Sequence, residues 1–367
     1  MRADVVVIGG GPAGLSTAIA ASLKGLRVTV VDARKPPIDK ACGEGLLPHG
    51  SESLRRLGVE LNSSLVFPFT GLQFSDEHSS VCARFPSGRA FGIRRTVLHR
   101  LLVERALELG VSFAWGTRVL ELSSQGVETT AGFLRCAWLV GADGGRSRVA
   151  QFAGIGPRMH KHYRFGFRRH YEIAPWSDLV EVRWEDRCQI IVTPTKATEI
   201  CVSVFTSDPK LRVASALARF PDIAQRLGDA RPLSDEAGAV TLLAPAGRVT
   251  RGNVALVGDA SCMVDGIAGQ GLSLAFGQAL ELAEALASGD LSRYESAHRR
   301  LIRTPLRITR LLLAMSASSA LRGRALRLFE RKPEMFADMI SMHARKSAAG
   351  ELGTGDLLNL GWRVLWA

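Results

Sequence analysis

Cysteine is sparse in this chain and follows no pairing pattern. The 367 residues include six cysteines (Cys42, Cys82, Cys136, Cys188, Cys201 and Cys262) and no C-x-x-C. This excludes a small disulfide scaffold or a zinc ribbon and fits reduced thiols. Long apolar runs are missing as well: no stretch of roughly 18 uncharged apolar residues occurs, so no membrane-spanning helix is expected. The chain enters a strand near Asp4 without the basic segment and cleavage site of a secretory leader, and a cytoplasmic location is expected. The eight histidines show no zinc-protease spacing, and no metal is expected. Hydrophobic residues at 46% and charged residues at 22% exclude collagen-like, mucin-like and wholly disordered chains. The length suits two or three domains with a core that needs no disulfide support.

Charge is unevenly spread. The net charge is +12, and residues 291–350 hold thirteen Lys/Arg against four acids. Such a field can attract anionic partners; a solvated helical face is one reading and an anionic carrier protein or membrane surface as partner the other, and no nucleic acid is expected. Arg303, Arg307 and Arg310 share one helical side, with Leu306, Leu311, Leu312, Leu313 and Met315 interleaved.

What is abundant is glycine at informative places. Val5-Val6-Val7-Ile8 reads as a buried parallel strand. Gly9-Gly10-Gly11-Pro12-Ala13-Gly14 follows it, then a helical pattern to Leu23 and a second strand, Arg27 to Asp32. This is a βαβ unit with G-x-G-x-x-G at Gly9, Gly11 and Gly14: tight turn, close approach to a pyrophosphate, close helix–strand packing. The helix amino terminus offers N–H groups to phosphate, and Asp32 ends the second strand where ribose hydroxyls can be held. Two further strands run into glycine/aspartate turns, at Asp143-Gly144 and at Gly258-Asp259. Beyond them Asp265 leads into Gly269-Gln270-Gly271 and a long helix, Leu272 to Leu286. Three such turns at one carboxyl edge suit a long, two-ended dinucleotide such as FAD.

This order of motifs over about residues 1–290 resembles the para-hydroxybenzoate hydroxylase and geranylgeranyl reductase superfamily of FAD-dependent oxidoreductases. The resemblance implies an α/β fold with a Rossmann-like FAD-binding domain, an antiparallel-sheet substrate domain and a helical carboxyl-terminal region. By it, Gly9, Gly11, Pro12, Ala13, Gly14, Asp32, Gly258, Asp259, Gly269, Gln270 and Gly271 contact FAD, with Asp32 at the adenosine ribose and Asp259 at the ribityl chain. It also implies a flavin or pyrophosphate contact for Arg95, an adenine-side backbone contact for Val119, and cofactor contacts for Asp143 and Gly144. NADPH or NADH would be the transient electron donor.

The expected division is 1–154 with 251–290 as the cofactor domain, 155–250 as the substrate sheet and 291–367 as a basic helical region. Consecutive strands from Arg164, Leu179, Gln189 and Glu199 without intervening helices favour an antiparallel sheet. On it, His170, Trp184, Gln189 and Ile191 are candidate substrate residues, and Asp265 and Cys42 are candidate catalytic ones. The leading expectation is a NAD(P)H-dependent monooxygenase that hydroxylates an apolar aromatic or polyketide-like molecule through a C4a-hydroperoxyflavin. Ala41-Cys42-Gly43-Glu44-Gly45 departs from the hydroxylases and resembles the reductase branch, so a reductase of isoprenoid-type double bonds is the alternative. That branch's Pro-x-x-Tyr-x-Trp-x-Phe-Pro segment is absent. A nonenzymatic prenyl-binding escort is the alternative of another class.

Overall fold

The apolar run at the amino terminus becomes the middle of a sheet because both of its faces are covered. In the strand Arg2–Ile8, Val5, Val6 and Val7 are fully buried, as are Leu15 and Ile19 on the helix Pro12–Ser22 packed over it. Full burial of such side chains contributes about 1.5–3 kcal/mol each. The computed structural model describes residues 2–157 and 163–344. Among these, Arg2–Ile8 pairs in parallel with Val28–Asp32 on one side and Gly132–Gly141 on the other. Ser112–Trp115 extends the first side and Val254–Leu256 the second. The strand order reverses beside Arg2–Ile8, and in doubly wound sheets ligands bind in the crevice beyond the strands' carboxyl ends at such a point.

A second sheet stands over that edge. Arg164–Glu172, Glu199–Thr206, Cys188–Lys196 and Leu179–Glu185 pair antiparallel in that spatial order, as consecutive strands without helices require. The two middle strands are buried on both faces. One face packs on Val213, Ala216, Ile223 and Leu227 of two short helices, and the other looks toward the first sheet. The expected domain division needs one change. Gly71–Ser75 and Ser80–Arg84 lie within 1–154, yet Gly71–Ser75 pairs in parallel with Leu179–Glu185, so both extend the second sheet.

Helices complete the basic region: Leu291–Ala317, Ser319–Arg331 and Pro333–Ala344. Leu306, Leu312 and Met315 are buried, and Leu311 and Leu313 pack on the second core, so this stretch serves as core. Arg303 and Arg310 are exposed and Arg307 half-buried. Arg345, Lys346 and the rest of 345–367 lie outside the described residues. No helix among the described residues is long and apolar enough to cross a membrane.

Candidate functional site

Between the two sheets lies a continuous cavity of about 1000 Å³, at the upper end for ligand pockets. Its floor is the carboxyl edge of the first sheet, where the glycines act as the motif requires. Gly9 has φ 110, and a Cβ on it would overlap the Ala142 carbonyl; a Cβ on Gly14 would overlap the Gly9 carbonyl. Gly11 instead opens on the cavity, where a Cβ would meet only Arg95 Nη2 at 3.9 Å. No side chain caps the amino termini of Pro12–Ser22 and Gly271–Ser288, and Pro12, Ala13, Gly271 and Leu272 line the cavity. The free N–H groups of these first turns (Pro12 itself has none) and the helix dipole ends therefore face it.

Charged groups mark both ends. Asp32 accepts from the Gly10 N–H at 2.8 Å and the Arg34 N–H at 2.8 Å, which fixes its carboxylate at the rim. Asp259, on the turn Gly258–Ala260, pairs with Lys40 at 2.8 Å and holds that ammonium above its ordinary value. The turn itself is pinned by the Gly258 N–H donating to Gln278 Oε1 at 2.7 Å, with His298 against Gln278 and Ser261. Arg95 is buried at the start of the helix Arg95–Glu108 with Nη1 lacking a partner. Burial pulls its guanidinium below the usual value. A buried guanidinium with an unused donor beside uncapped helix termini and a bare glycine turn fits a dinucleotide pyrophosphate.

The remaining expected contacts divide. Val119 and Gly144 line the cavity, with the Val119 carbonyl held by Arg148 at 2.6 Å. Asp143 lines it too, but its carboxylate accepts from Ser147 Oγ at 2.5 Å and the Arg148 N–H at 2.7 Å, and so serves the following helix. Gly269 and Gly271 face the cavity, whereas the Gln270 side chain turns away to His343 at 2.8 Å. His343 lines the cavity and is pushed down to about 3, chiefly by burial and also by His49. Arg148, Lys40 and His343 escaped sequence reasoning, since no motif spacing marks them.

The roof is apolar: Phe69, Leu72, Phe74, Val180, Val182, Ile191, Phe205 and Leu312 line it. Strand alternation puts His170, Trp184, Gln189 and Ile191 on the face toward the first sheet, but of these four expected substrate residues only Ile191 lines the cavity. Trp184 is covered by Phe74. Gln189 and Asp265 are held behind the wall by Arg164, which donates to both at 2.8 Å. His170 lies under Glu44, with Nε2 2.5 Å from Glu44 Oε2. Cys42 lines the cavity where floor and roof meet. Burial pushes its thiol up, opposed by Arg95 and reinforced by Glu44, so it stays protonated near neutral pH.

A family described as "FAD binding domain" matches residues 2–215. Menaquinone reductase of Mycolicibacterium smegmatis (strain ATCC 700084 / mc(2)155) is 29% identical over 333 residues, 82% of this chain and 80% of that protein. Digeranylgeranylglycerophospholipid reductase 2 of Methanopyrus kandleri is 28% identical and covers 80% of each chain. Rifampicin monooxygenase of Rhodococcus hoagii is 25% identical over 86% of this chain and 72% of its own length. Among solved structures, the flavin-dependent brominase Bmp2 superposes with a TM-score of 0.83 at 17% identity over 100% of this chain and 99% of its own, a likeness of fold.

Proposed function

The chain belongs to the FAD binding domain family, and from that premise we propose that this FAD-dependent oxidoreductase reduces a carbon–carbon double bond in an apolar, isoprenoid-type molecule. The observation that carries the reading is the make-up of the cavity: a dinucleotide floor, an apolar roof, and a half-buried, protonated thiol at their junction. Saturating a double bond takes two electrons and a proton source out of bulk water, and these residues meet the second need. The two relatives named as reductases each align over about four-fifths of this chain, which supports the same reading.

Bound FAD supplies the electron pair as a hydride equivalent, renewed by NADPH or NADH. The chain's own residues do the rest. Gly11, the helix beginning at Pro12 and Arg95 hold the pyrophosphate; Asp32 takes the ribose; Asp259, steadied by Lys40, takes the ribityl chain. The amino terminus of Gly271–Ser288, whose Gly271 and Leu272 line the cavity, would offer its positive dipole end to the flavin ring and favour negative charge there. Leu72, Phe74, Val182, Ile191 and Phe205 strip water from the polyprenyl chain. Cys42 donates the proton to the carbon that does not receive the hydride, so the double bond becomes a CH–CH unit.

The second reading, hydroxylation, is favoured by the alignment with rifampicin monooxygenase over 86% of this chain. One experiment separates the two. FAD-loaded protein, reduced chemically without oxygen, is mixed with geranylgeraniol or a short-chain menaquinone and the products are weighed. A gain of two hydrogens supports the reductase. Oxygen-18 entering the product only in air establishes the monooxygenase instead. A colourless protein that takes up no FAD returns the escort.

A further inference from the structure

Glu44 stands between two glycines in Cys42-Gly43-Glu44-Gly45 and adopts φ 60, a left-handed conformation that a side chain larger than glycine enters at a cost. It is held there from several sides. Its Oε1 accepts from the Arg95 N–H at 2.9 Å, its carbonyl accepts from the Ile93 N–H at 2.9 Å, and its Oε2 meets His170 Nε2 at 2.5 Å. The hydrogen bonds continue outward. His170 Nδ1 lies 2.9 Å from Ser234 Oγ, and that oxygen also accepts from the His170 backbone N–H at 3.2 Å. Arg168 Nη1 donates to it as well, at 3.5 Å; with both lone pairs of the oxygen taken, the serine hydroxyl is left to donate to Nδ1, and Nε2–H to donate to Glu44. Glu44 and His170 are each 1% exposed. Ser234 lines a groove on the outer surface with Arg169 and Asp235, whereas Glu44 lines the cavity beside Cys42.

We propose that Ser234, His170 and Glu44 form a proton-conducting chain from the outer groove to the cavity, replacing the proton that Cys42 gives up in each turnover. The identity of that acceptor rests on the reductase reading; the chain itself rests on the bonds above. Glu44 Oε2 takes the Nε2 proton as Nδ1 takes the serine hydroxyl proton and Ser234 takes one from groove water. The protonated Glu44 then gives its proton to the Cys42 thiolate, two residues away along the chain, and is again a carboxylate. A turn of the imidazole restores the starting tautomer. Electrons are not moved, and one solvent proton enters for each one consumed.

The charged groups that flank the relay have partners of their own. Arg94 is occupied by Glu199 at 2.8 and 2.6 Å, and Arg168 by Asp39 at 2.5 Å. Arg95 touches Glu44 through its backbone N–H. Cys201 brings its sulfur within 4.8 Å of the Glu44 and His170 atoms. Burial, reinforced by Glu44, drives its thiol well above the ordinary value.

The test compares Ser234→Thr, which keeps the hydroxyl, with Ser234→Val, which has the same shape without it. In FAD-loaded protein labelled with nitrogen-15 histidine, solvent exchange of the His170 ring N–H should slow at least tenfold in Ser234→Val and stay near the unmodified rate in Ser234→Thr. Equal exchange in the two variants overturns the relay, because the pair is then merely structural or the proton enters elsewhere. Zinc binding to the unmodified protein that is lost in Cys201→Ser also overturns it, in favour of a metal site. With geranylgeraniol as probe, Ser234→Val should lower kcat while KM is unchanged. A probe that is never reduced counts against the proposed function and leaves the exchange comparison to decide the relay.

Discussion

Replacing Arg95 with methionine should move cofactor affinity and the stability of the FAD-free protein in different directions. The guanidinium is buried, Nη1 has no partner, and the nearby acids Asp259, Asp39 and Glu44 are engaged by Lys40, Arg168 and His170. Without the cofactor, an unpartnered buried polar group costs about 1–3 kcal/mol, and a cation in the first turn of a helix costs about 0.3–1 kcal/mol more. Methionine fills similar space with neither penalty, although the attraction of the nearby acids is lost. The FAD-free variant should therefore melt at the same temperature or up to about 2 °C higher. Hydrogen bonds to a charged group contribute about 1.5–3 kcal/mol, so at about 1.4 kcal/mol per tenfold FAD should bind about 10- to 150-fold more weakly. Fluorescence titration gives the affinity and a thermal melt the stability. An unchanged Kd, or a clear fall in Tm, would refute the assignment of Arg95 to the pyrophosphate.

Other expectations follow from the same geometry. Gly14→Ala drives a methyl group into the Gly9 carbonyl and should cost about 1–3 kcal/mol of stability, whereas Gly43→Ala, with nothing within 4 Å, should melt like the unmodified protein. Burial holds His298 down at about 4 against an ordinary 6.5. The unfolded chain therefore binds this proton more readily, and stability, full above pH 6.5, should be lost as pH falls toward 4; a Tm that is flat over that range contradicts this. Cys42→Ala should cut reduction of a prenyl probe by about 100-fold or more with FAD affinity intact, and equal turnover would remove the thiol from the mechanism. Changing Arg303, Arg307 and Arg310 together to glutamine should weaken co-sedimentation with anionic vesicles most at low salt; failure of the unmodified protein to sediment would leave that face merely solvated.

The parts legible in the sequence are those fixed by local chemistry. Gly9, Gly11 and Gly14 announce their turn because each needs a missing Cβ for its own reason, and Val5 to Val7 announce a two-sided strand by having no polar face. The strands from Arg164 to Thr206 were readable from their turn residues and the lack of intervening helices, and in the structure alternation turns His170, Trp184, Gln189 and Ile191 toward the first sheet. What alternation does not carry is the cover laid over three of them by distant segments: Glu44 over His170, Phe74 over Trp184, Arg164 with Asp265 at Gln189. Asp143 stood at the right turn, but its carboxylate was claimed by the next helix. Glu44 was passed over because a left-handed residue among glycines reads as loop; its role depends on a strand more than a hundred residues away. Gly71–Ser75 belongs to the second sheet through a parallel pairing that no neighbouring turn signals.

That early excursion of Gly71–Arg84 into the roof has a consequence for how such a protein can change over time. The roof borrows strands from the middle of the stretch that builds the floor, and the floor takes its last strand, Val254–Leu256, after the roof is complete. Neither layer is a cassette. A gene fragment bearing one would arrive with missing strands and bare edges, so exchange of whole modules between relatives is barred to this architecture. New substrates must be reached by replacing side chains along a cavity wall whose backbone stays the same.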